Sequence, residues 1–379
     1  MGFMDNYKNL KQSVEAVVVG NDFLSLFIAW QLKKNGTKVA YIEHKDNLAD
    51  FYSYQLEDMP PHKTTVSPAR LLTPAKSLND DLKTWVKEYF NLNLTNEKLT
   101  PQTFESGSFK DFHGFGKRNF AASEELSFYN DDEWVFGLDN LADFKQNMKI
   151  DLREDHIEKS QITNIEFSNN KVEAVIINEA KRLSCDSLYF CNSPKDLFQL
   201  AGDQFSWNRK FKQKIAKTSF WSTIELFFTH NNLSAPAYTP YFLMGTKDDF
   251  DPTVGYFNTP TQTPEGQMQK SAWVYLANNE QVEDEEALGQ IIKYMKKQIK
   301  RAFPEAFEDL LYEKILITPQ HQAHIEDLEM DGFLIPKSPN MYLIHPSLVG
   351  GLEWPSTLSL CKQFTTSPDL LKAHVEPIA

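Results

Sequence analysis

The stretch VEAVVVGNDFLSLFIAWQLKKNGTKVAYIE, residues 14–43, decides the fold of this chain. Val14–Val19 is dominated by β-branched residues, which is typical of a short strand buried on both faces. Gly20 follows where the chain must turn sharply, and apolar residues then recur at helical spacing as far as Gly36, which stands where a helix ends. Val39–Ile42 indicates a second buried strand. Together these elements predict a βαβ unit of the kind that binds dinucleotides.

The turn after the first strand departs from the dinucleotide-binding pattern. That pattern has glycine at three places, which are positions 20, 22 and 25 of this chain. Gly20 is present, but Asp22 and Ser25 occupy the other two places. A small serine can replace the third glycine, which only lets helix and strand pack closely. Asp22 is a larger change, because its carboxylate can cap the helix and repels a phosphate.

Glu43 ends the second strand at the distance from the turn, about 20 residues, at which an acidic residue accepts hydrogen bonds from a ribose. The position fits a ribose ligand, and it equally fits a plain carboxylate at the end of a strand. Asp22 likewise has two interpretations, which are a functional residue and a simple N-cap for the helix that follows.

The composition of the whole chain narrows its functional class. The length of 379 residues predicts two domains, and the formal net charge of −13 argues against nucleic acid or an anionic membrane as the main partner. Cys185, Cys191 and Cys361 show no CxxC spacing, which indicates a reducing compartment and buried thiols instead of a disulfide framework. The sequence has no segment typical of a signal peptide or a membrane span. We therefore expect a soluble, cytoplasmic protein.

The remaining chain predicts both strands and helices. A hairpin is expected from Ile162–Phe167 and Lys171–Asn178, with its turn at Asn169–Asn170. A short buried strand at Ser187–Cys191 leads through Asn192–Ser193–Pro194 into a helix. Further strands are predicted at Phe220–Thr229, Tyr238–Met244, Thr253–Asn258, Ala272–Ala277 and Met341–Ile344, further helices at Ser77–Phe90, Glu285–Phe303 and Pro355–Phe364, and an irregular stretch at Asn91–Asn130.

The order of these elements resembles the flavin amine oxidase and phytoene desaturase group of FAD-dependent oxidoreductases over nearly the whole chain. VFGLDNLADFKQNM, residues 135–148, resembles that group's glycine-containing entry to a helix. ITNIEFSNNKVEAVIINEAKRLSCDSLYFCNSPKDL, residues 162–197, resembles its returning hairpin and strand. SPNMYLIHPSLVGGLEWPSTLSLCKQF, residues 338–364, is similar to its closing motif, in which a strand ends near the flavin and a helix N-terminus faces it.

The resemblance implies an α/β fold with two parts. The first is a Rossmann-like FAD/NAD(P)-binding domain, and the second is an inserted α+β domain of the substrate-binding type, as in flavin amine oxidases. Residues 1–75, 131–204 and 330–379 correspond to the first domain, which is discontinuous, and residues 76–130 and 205–329 correspond to the second.

The departures from this group fall on cofactor contacts. Besides the two replaced glycines, Asn47–Asp50 stands where a Gly-Gly-Arg stretch usually follows the ribose acid. His345–Pro346 stands where the closing motif usually has Gly-Asp, and the proline also removes a backbone donor. Glu43, Gly350 and Gly351 remain as the group has them.

Other chemistry-bearing residues show weaker patterns. His321 and His324 have the spacing of a shared helix face and could ligate a metal, but no third ligand accompanies them, so no metal site is expected. Trp273 and Tyr275 fit either a substrate cavity or an alternating core strand. Cys361 fits a core position on a helix, because no histidine or aspartate partner is indicated.

Two functional classes follow. In the first, the chain has lost normal FAD binding, carries no cofactor, and works as a pseudoenzyme that binds a protein partner or an apolar small molecule. In the second, it is an FAD-dependent oxidoreductase that acts on an amine or an unsaturated apolar substrate, with hydride chemistry supplied by FAD. The replaced cofactor contacts favour the first. The candidate cofactor-binding residues are Gly20, Asp22, Ser25, Glu43, His345, Gly350 and Gly351. They are the remnant of a cofactor site in the first class and FAD ligands in the second. No catalytic residue is indicated.

Overall fold

The computed structural model describes residues 13–44, 54–55, 65–66, 73–115, 126, 131–138, 141–231, 235–245, 250–263, 266–308, 310–323, 325, 328, 330–350 and 353–367. Within these residues the strands form four sheets, of which two are large. The first large sheet is built around the strands of residues 14–43, and the second contains most strands of the middle of the chain.

Strands and helices alternate at the start of the chain, and strands dominate its middle. In chain order the strands are β1 (Ser13–Val19), β2 (Val39–His44), β3 (Tyr54–Gln55), β4 (Thr65–Val66), β5 (Thr73–Pro74), β6 (Thr95–Lys98), β7 (Gln102–Glu105), β8 (Ser108–Asp111), β9 (Glu133–Phe136), β10 (His156–Ser160), β11 (Ile162–Ser168), β12 (Lys171–Ile177), β13 (Lys181–Phe190), β14 (Trp221–Asn231), β15 (Tyr241–Leu243), β16 (Thr253–Phe257), β17 (Thr261–Thr263), β18 (Gly266–Asn278), β19 (Leu310–Gln322) and β20 (Met341–Leu343). The α-helices are α1 (Phe23–Lys34), α2 (Asp80–Phe90), α3 (Leu141–Leu152), α4 (Pro194–Ala201), α5 (Arg209–Lys217), α6 (Asn279–Glu283), α7 (Glu285–Ala302), α8 (Glu305–Glu308) and α9 (Glu353–Thr366).

The first sheet has the order β10–β2–β1–β13–β12–β11, with β20 also paired to β13. β1 runs parallel to β2 and to β13, and β20 runs parallel to β13. The prediction that Val14–Val19 and Val39–Ile42 are parallel neighbours, in one sheet with the distant strands near Ser187 and Met341, is confirmed. The hairpin of β11 and β12 is also confirmed, and Asn169 and Asn170 at its turn have φ of +50° and +63°, as a tight hairpin turn requires.

The helix α1 is a core helix, because it is apolar on every side and all of Phe23–Leu32 is buried. It packs on the first sheet and is covered by α2, α3 and α9. The Phe23 ring lies 5.9 Å from Phe90 of α2 and 5.7 Å from Trp354 of α9. The division into two domains stays a prediction, and α2, which that division assigns to the inserted domain, packs on α1.

The second sheet has the order β19–β14–β18–β16–β15–β7–β8, with β17 also paired to β18. One face packs against α7 through a cluster that includes Trp273 and Tyr275, which are 0% and 1% exposed. These two aromatics are therefore core residues, as the alternating pattern indicates. The strands β6 to β8 correct the expectation that Asn91–Asn130 is irregular. The sequence pattern does not reveal them because each is only four residues long and every residue of β6 and β8 is exposed.

The edge strand β19 is not predicted from the sequence. It contradicts the expectation that His321 and His324 share one face of a helix. His321 lies in this strand, so a helix face shared with His324 is wrong. His324 itself lies outside the described residues. Among the residues that the structure describes, no group of histidine, cysteine, aspartate and glutamate side chains is arranged to hold a metal ion.

Cys185, Cys191 and Cys361 are buried free thiols, in line with their expected place in the core. In the described ranges, every helix is too short or too polar to cross a membrane.

Candidate functional site

The parallel strands of the first sheet end together at one edge. The amide of Gly20, just past β1, donates to the carbonyl of Ile42 at 3.2 Å, and the amide of Cys191, just past β13, donates to the carbonyl of Val19 at 2.8 Å. Open α/β sheets bind ligands outside the carboxyl ends of their strands. This edge is therefore the candidate site. The predicted residues Gly20, Asp22, Ser25, Glu43 and His345 lie at these strand ends or in the first helical turn beyond them.

Gly20 leaves no room for a side chain. A Cβ at this position would lie 2.4 Å from Ser25 Cβ and 3.2 Å from Cys191 Cβ. The first distance is far inside van der Waals contact, so the first turn of α1 can approach β1 this closely only because residue 20 is glycine. The predicted tight turn is thus explained by the packing of Ser25 against it.

Asp22 and Ser25 form a reciprocal cap at the N-terminus of α1. The amide of Ser25 donates to Asp22 Oδ1 at 2.8 Å, and the amide of Asp22 donates to Ser25 Oγ at 3.2 Å. Ser25 is fully buried, and its hydroxyl also lies 3.3 Å from the hydroxyl of Tyr41 on β2. This capping box satisfies two amides that a helix otherwise leaves open, and it places a negative charge at the positive end of the helix dipole.

The capped turn does not fit a pyrophosphate that is bound through the N-terminus of α1. An anion there needs free amide donors, and the Ser25 amide is already bonded to a carboxylate.

The charge of Asp22 also affects the pKa of two buried cysteines. Burial, with the Asp22 charge adding to it, raises the pKa of Cys191 and of Cys361 well above the ordinary range. Asn47–Asp50, the other segment expected near the phosphates, lies outside the described residues.

Glu43 is held by basic residues from two other elements. Its Oε2 lies 2.9 Å from His156 Nε2 on β10, and its Oε1 lies 3.8 Å from Lys149 Nζ on α3. Burial alone raises the pKa of Glu43, but the His156 hydrogen bond and the charges of Lys149, His156 and Lys145 outweigh it and hold the pKa below 4.5. Glu43 is therefore ionised at neutral pH, which suits a ribose acceptor, although both of its oxygens already have partners.

Glu43→Gln is expected to lower the free energy of unfolding by about 1–2 kcal/mol at neutral pH, because it removes a charge-assisted hydrogen bond. The folded-state pKa of Glu43 is lowered, so its carboxylate stabilises the fold above the unfolded-state pKa of about 4.5 and loses this contribution as the pH falls through the folded-state pKa. Urea unfolding between about pH 7 and pH 3 should show the difference from wild type shrinking on acidification. Glu173→Gln, at an exposed position on β12, is the control. A difference that is constant over the whole range would contradict the ionic role of Glu43.

The closing segment after β20 places one predicted residue in a local cap. His345 is 6% exposed, and its Nδ1 accepts a hydrogen bond from the amide of Ser347 at 3.2 Å. The neutral ring therefore carries its proton on Nε2. Gly350 has φ of +67°, which favours glycine, and its carbonyl accepts a hydrogen bond from Ser356 Oγ on α9. Gly351 lies outside the described residues.

Asn192 belongs to the site, although the sequence pattern indicates only a turn at this position. It lies just past β13 at the same edge, is 5% exposed, and its Nδ2 has no hydrogen-bond partner within the described residues. In the sequence, the feature that points to Asn192 is an amide side chain between a buried strand and the Ser193–Pro194 start of a helix. A buried donor of this kind fits a ligand that carries an acceptor.

Comparison with known proteins gives a likeness of fold. No protein-family model matches the chain, and no curated protein matches it in sequence. An oxidoreductase from Methanosarcina mazei superposes on 93% of this chain and 100% of its own, with 12% identity and a TM-score of 0.65. A triple mutant of putrescine oxidase covers 95% and 99% of the two chains, with 11% identity and a TM-score of 0.60. Cyclohexylamine oxidase from Brevibacterium oxydans IH-35A covers 94% and 98%, with 7% identity and a TM-score of 0.57. The chain therefore has the flavin amine oxidase-like fold, as its sequence pattern indicates.

Proposed function

We propose that this chain, with its flavin amine oxidase-like fold, is an FAD-dependent oxidoreductase that acts on an amine or an unsaturated apolar substrate. The observation that carries the proposal is agreement of fold over more than nine-tenths of the chain with putrescine oxidase and cyclohexylamine oxidase, which are amine oxidases by name. The agreement includes the second sheet and is not confined to the βαβ unit that many unrelated proteins share. It favours this class over loss of FAD, the reading that the sequence alone puts first.

Part of the candidate site fits FAD and part does not. The ionised Glu43 suits a ribose. The self-capped turn at Asp22 does not suit the pyrophosphate. When bound, FAD would supply the hydride acceptor, and the chain would orient the substrate and exclude water. Because the phosphate contacts are poor, we expect weaker retention of FAD than a glycine-lined turn gives.

The test is the visible absorption spectrum of the purified protein, followed by measurement of the flavin released on denaturation. The proposal expects a flavin spectrum, either in the protein as isolated or after incubation with FAD and removal of the excess. Tryptophan and flavin fluorescence during an FAD titration give the affinity independently of the spectrum. A protein that stays colourless and does not respond to FAD in either measurement is not a flavoenzyme.

A second candidate is a binding function without flavin, and the capping box of Asp22 and Ser25 is the specific observation that favours it. In this case a protein partner or an apolar small molecule occupies the edge of the first sheet, and the chain is a pseudoenzyme. The titration with FAD separates the two candidates directly. Residence in the cytoplasm remains a prediction under either one.

A further inference from the structure

The two large sheets meet where neighbouring strands of each come to an end. β13 and β20 are neighbours in the first sheet, and β14 and β19 are neighbours in the second. On one side, Lys195 Nζ, at the start of α4, lies 4.9 Å from the ring centroid of Phe220, which directly precedes β14. On the other side, the amide of Ala323, directly after β19, donates to Ser347 Oγ at 2.9 Å. We call the region bounded by Lys195, Phe220, Ala323 and Ser347 the junction.

Two buried N–H donors on these strand ends have no hydrogen-bond partner within the described residues. They are Asn192 Nδ2, just past β13, and Trp221 Nε1, at the start of β14. Their residues are 5% and 9% exposed. A buried donor without an acceptor is unfavourable, because it has lost its hydrogen bond to water without gaining another. Asn192 lies three residues before Lys195 and Trp221 directly follows Phe220, so the Lys195–Phe220 contact places both donors at the junction, where one ligand can supply their acceptor.

The junction also contains a lysine without a carboxylate partner. Lys195 contacts the Phe220 ring and makes no ion pair within the described residues. The Lys195 ammonium therefore lies at the junction without a carboxylate partner among the described residues, and it can meet an anionic group there.

We propose that the junction binds a small organic carboxylate whose oxygens accept hydrogen bonds from Asn192 Nδ2 and Trp221 Nε1 and whose charge is met by Lys195. A carboxylate has two oxygens and about four acceptor sites, so it can serve two donors and a cation together. Hydrogen bonds to a charged acceptor are about twice as strong as those between neutral groups. The rings of Phe220 and Trp221 suit an apolar body on the same ligand. The inference rests on the proposed function only in treating this ligand as the substrate.

The test is thermal unfolding of the full chain, with phenylacetate as the probe and phenylacetamide as its uncharged match. Phenylacetate is expected to raise the unfolding midpoint in a concentration-dependent manner, with an affinity at least about ten times that of the amide. Asn192→Leu and Trp221→Phe are each expected to weaken phenylacetate binding at least about tenfold. Each change also alters the packed volume at a buried position, so phenylacetate affinity is taken from the shift relative to each variant's own ligand-free midpoint.

Trp207→Phe is the matched control. The Nε1 of Trp207 is also buried without a partner in the described chain, but it lies between α4 and α5 and not on the strand ends of the junction. Its removal should leave phenylacetate affinity unchanged.

Equal binding of phenylacetate and phenylacetamide, or unchanged affinity in both junction variants, would overturn the proposal. The assay does not need flavin. A protein that binds phenylacetate through these residues but does not respond to added FAD refutes the proposed oxidoreductase and keeps this site. A protein that binds FAD but not phenylacetate does the reverse.

Discussion

Asp22→Gly is expected to raise the affinity of the chain for FAD about tenfold or more, which corresponds to about 1.4 kcal/mol. The change removes the carboxylate at the phosphate position and frees the amide of Ser25, which now donates to Asp22 Oδ1. An incoming pyrophosphate then meets only the positive end of the α1 dipole and its open donors. Titrations of FAD and of ADP, followed by calorimetry, measure the gain. The affinities for FAD and for ADP should both increase, because both ligands contain the pyrophosphate.

The matched control for this prediction is Asn79→Gly. Asn79 caps α2 as Asp22 caps α1, and its Oδ1 accepts from the Leu82 amide at 2.8 Å. Glycine is tolerated at an N-cap, so each variant should lose only a few tenths of a kcal/mol of stability through the cap itself. Asn79→Gly should leave the FAD affinity unchanged. An Asp22→Gly protein that binds FAD no better than wild type would contradict the role assigned to the carboxylate.

Gly20→Ala is expected to lower the free energy of unfolding by about 2–3 kcal/mol, in the upper range for overpacking of a core. The new methyl group would lie 2.4 Å from Ser25 Cβ, and the fully buried Ser25 has no space into which to withdraw. Denaturation with urea, with the slope of the transition checked for two-state behaviour, measures the loss.

A double-mutant cycle identifies the cause. Ser25→Gly deletes the atom that clashes, so Gly20→Ala should cost clearly less in the Ser25→Gly background than in wild type. Gly289→Ala, in α7, is the control, because a Cβ at that position meets nothing within 4 Å. It should raise the stability by about 0.5–1 kcal/mol, as alanine does in place of glycine within a helix. Additive effects of the two site changes would mean that the contact with Ser25 is not the source of the strain.

The sequence predicts local units well, because their patterns lie within a few tens of residues. The βαβ unit follows from two buried strands, a tight turn and an apolar helix, and the β11–β12 hairpin follows from the Asn169–Asn170 turn. β19 is missed because it is an edge strand: Leu311 and Ile315 are 54% and 36% exposed, and Glu313 and Lys314 lie between them. Hydrophobic periodicity is weak where one face of a strand is only partly covered.

The candidate site is predictable only where it is local. Asp22 lies directly before α1, so its role as the N-cap follows from the sequence, whereas the reciprocal bond to Ser25 Oγ appears only in the structure. The partners of Glu43 cannot be predicted from the sequence, because His156 is 113 residues away and no local pattern links the two residues. The junction donors Asn192 and Trp221 are missed for the same reason. Each lies on an ordinary strand end, and only the meeting of the two sheets brings these ends together.

The burial of α1 on every side also fixes an order of events during synthesis. A helix exposed on one face can settle onto its own two strands as soon as they leave the ribosome, but α1 cannot. One side of α1 can be buried only after α3 has been synthesised, and another only after α9, at residues 353–366. The sheet on which α1 packs is complete only when β13 and β20 have joined it. The α1 region is therefore made before β13, β20 and α9 but is completed only after them, and folding must pass through the closure of very long loops. Until then the apolar surface of α1 stays open to chaperones and to other nascent chains.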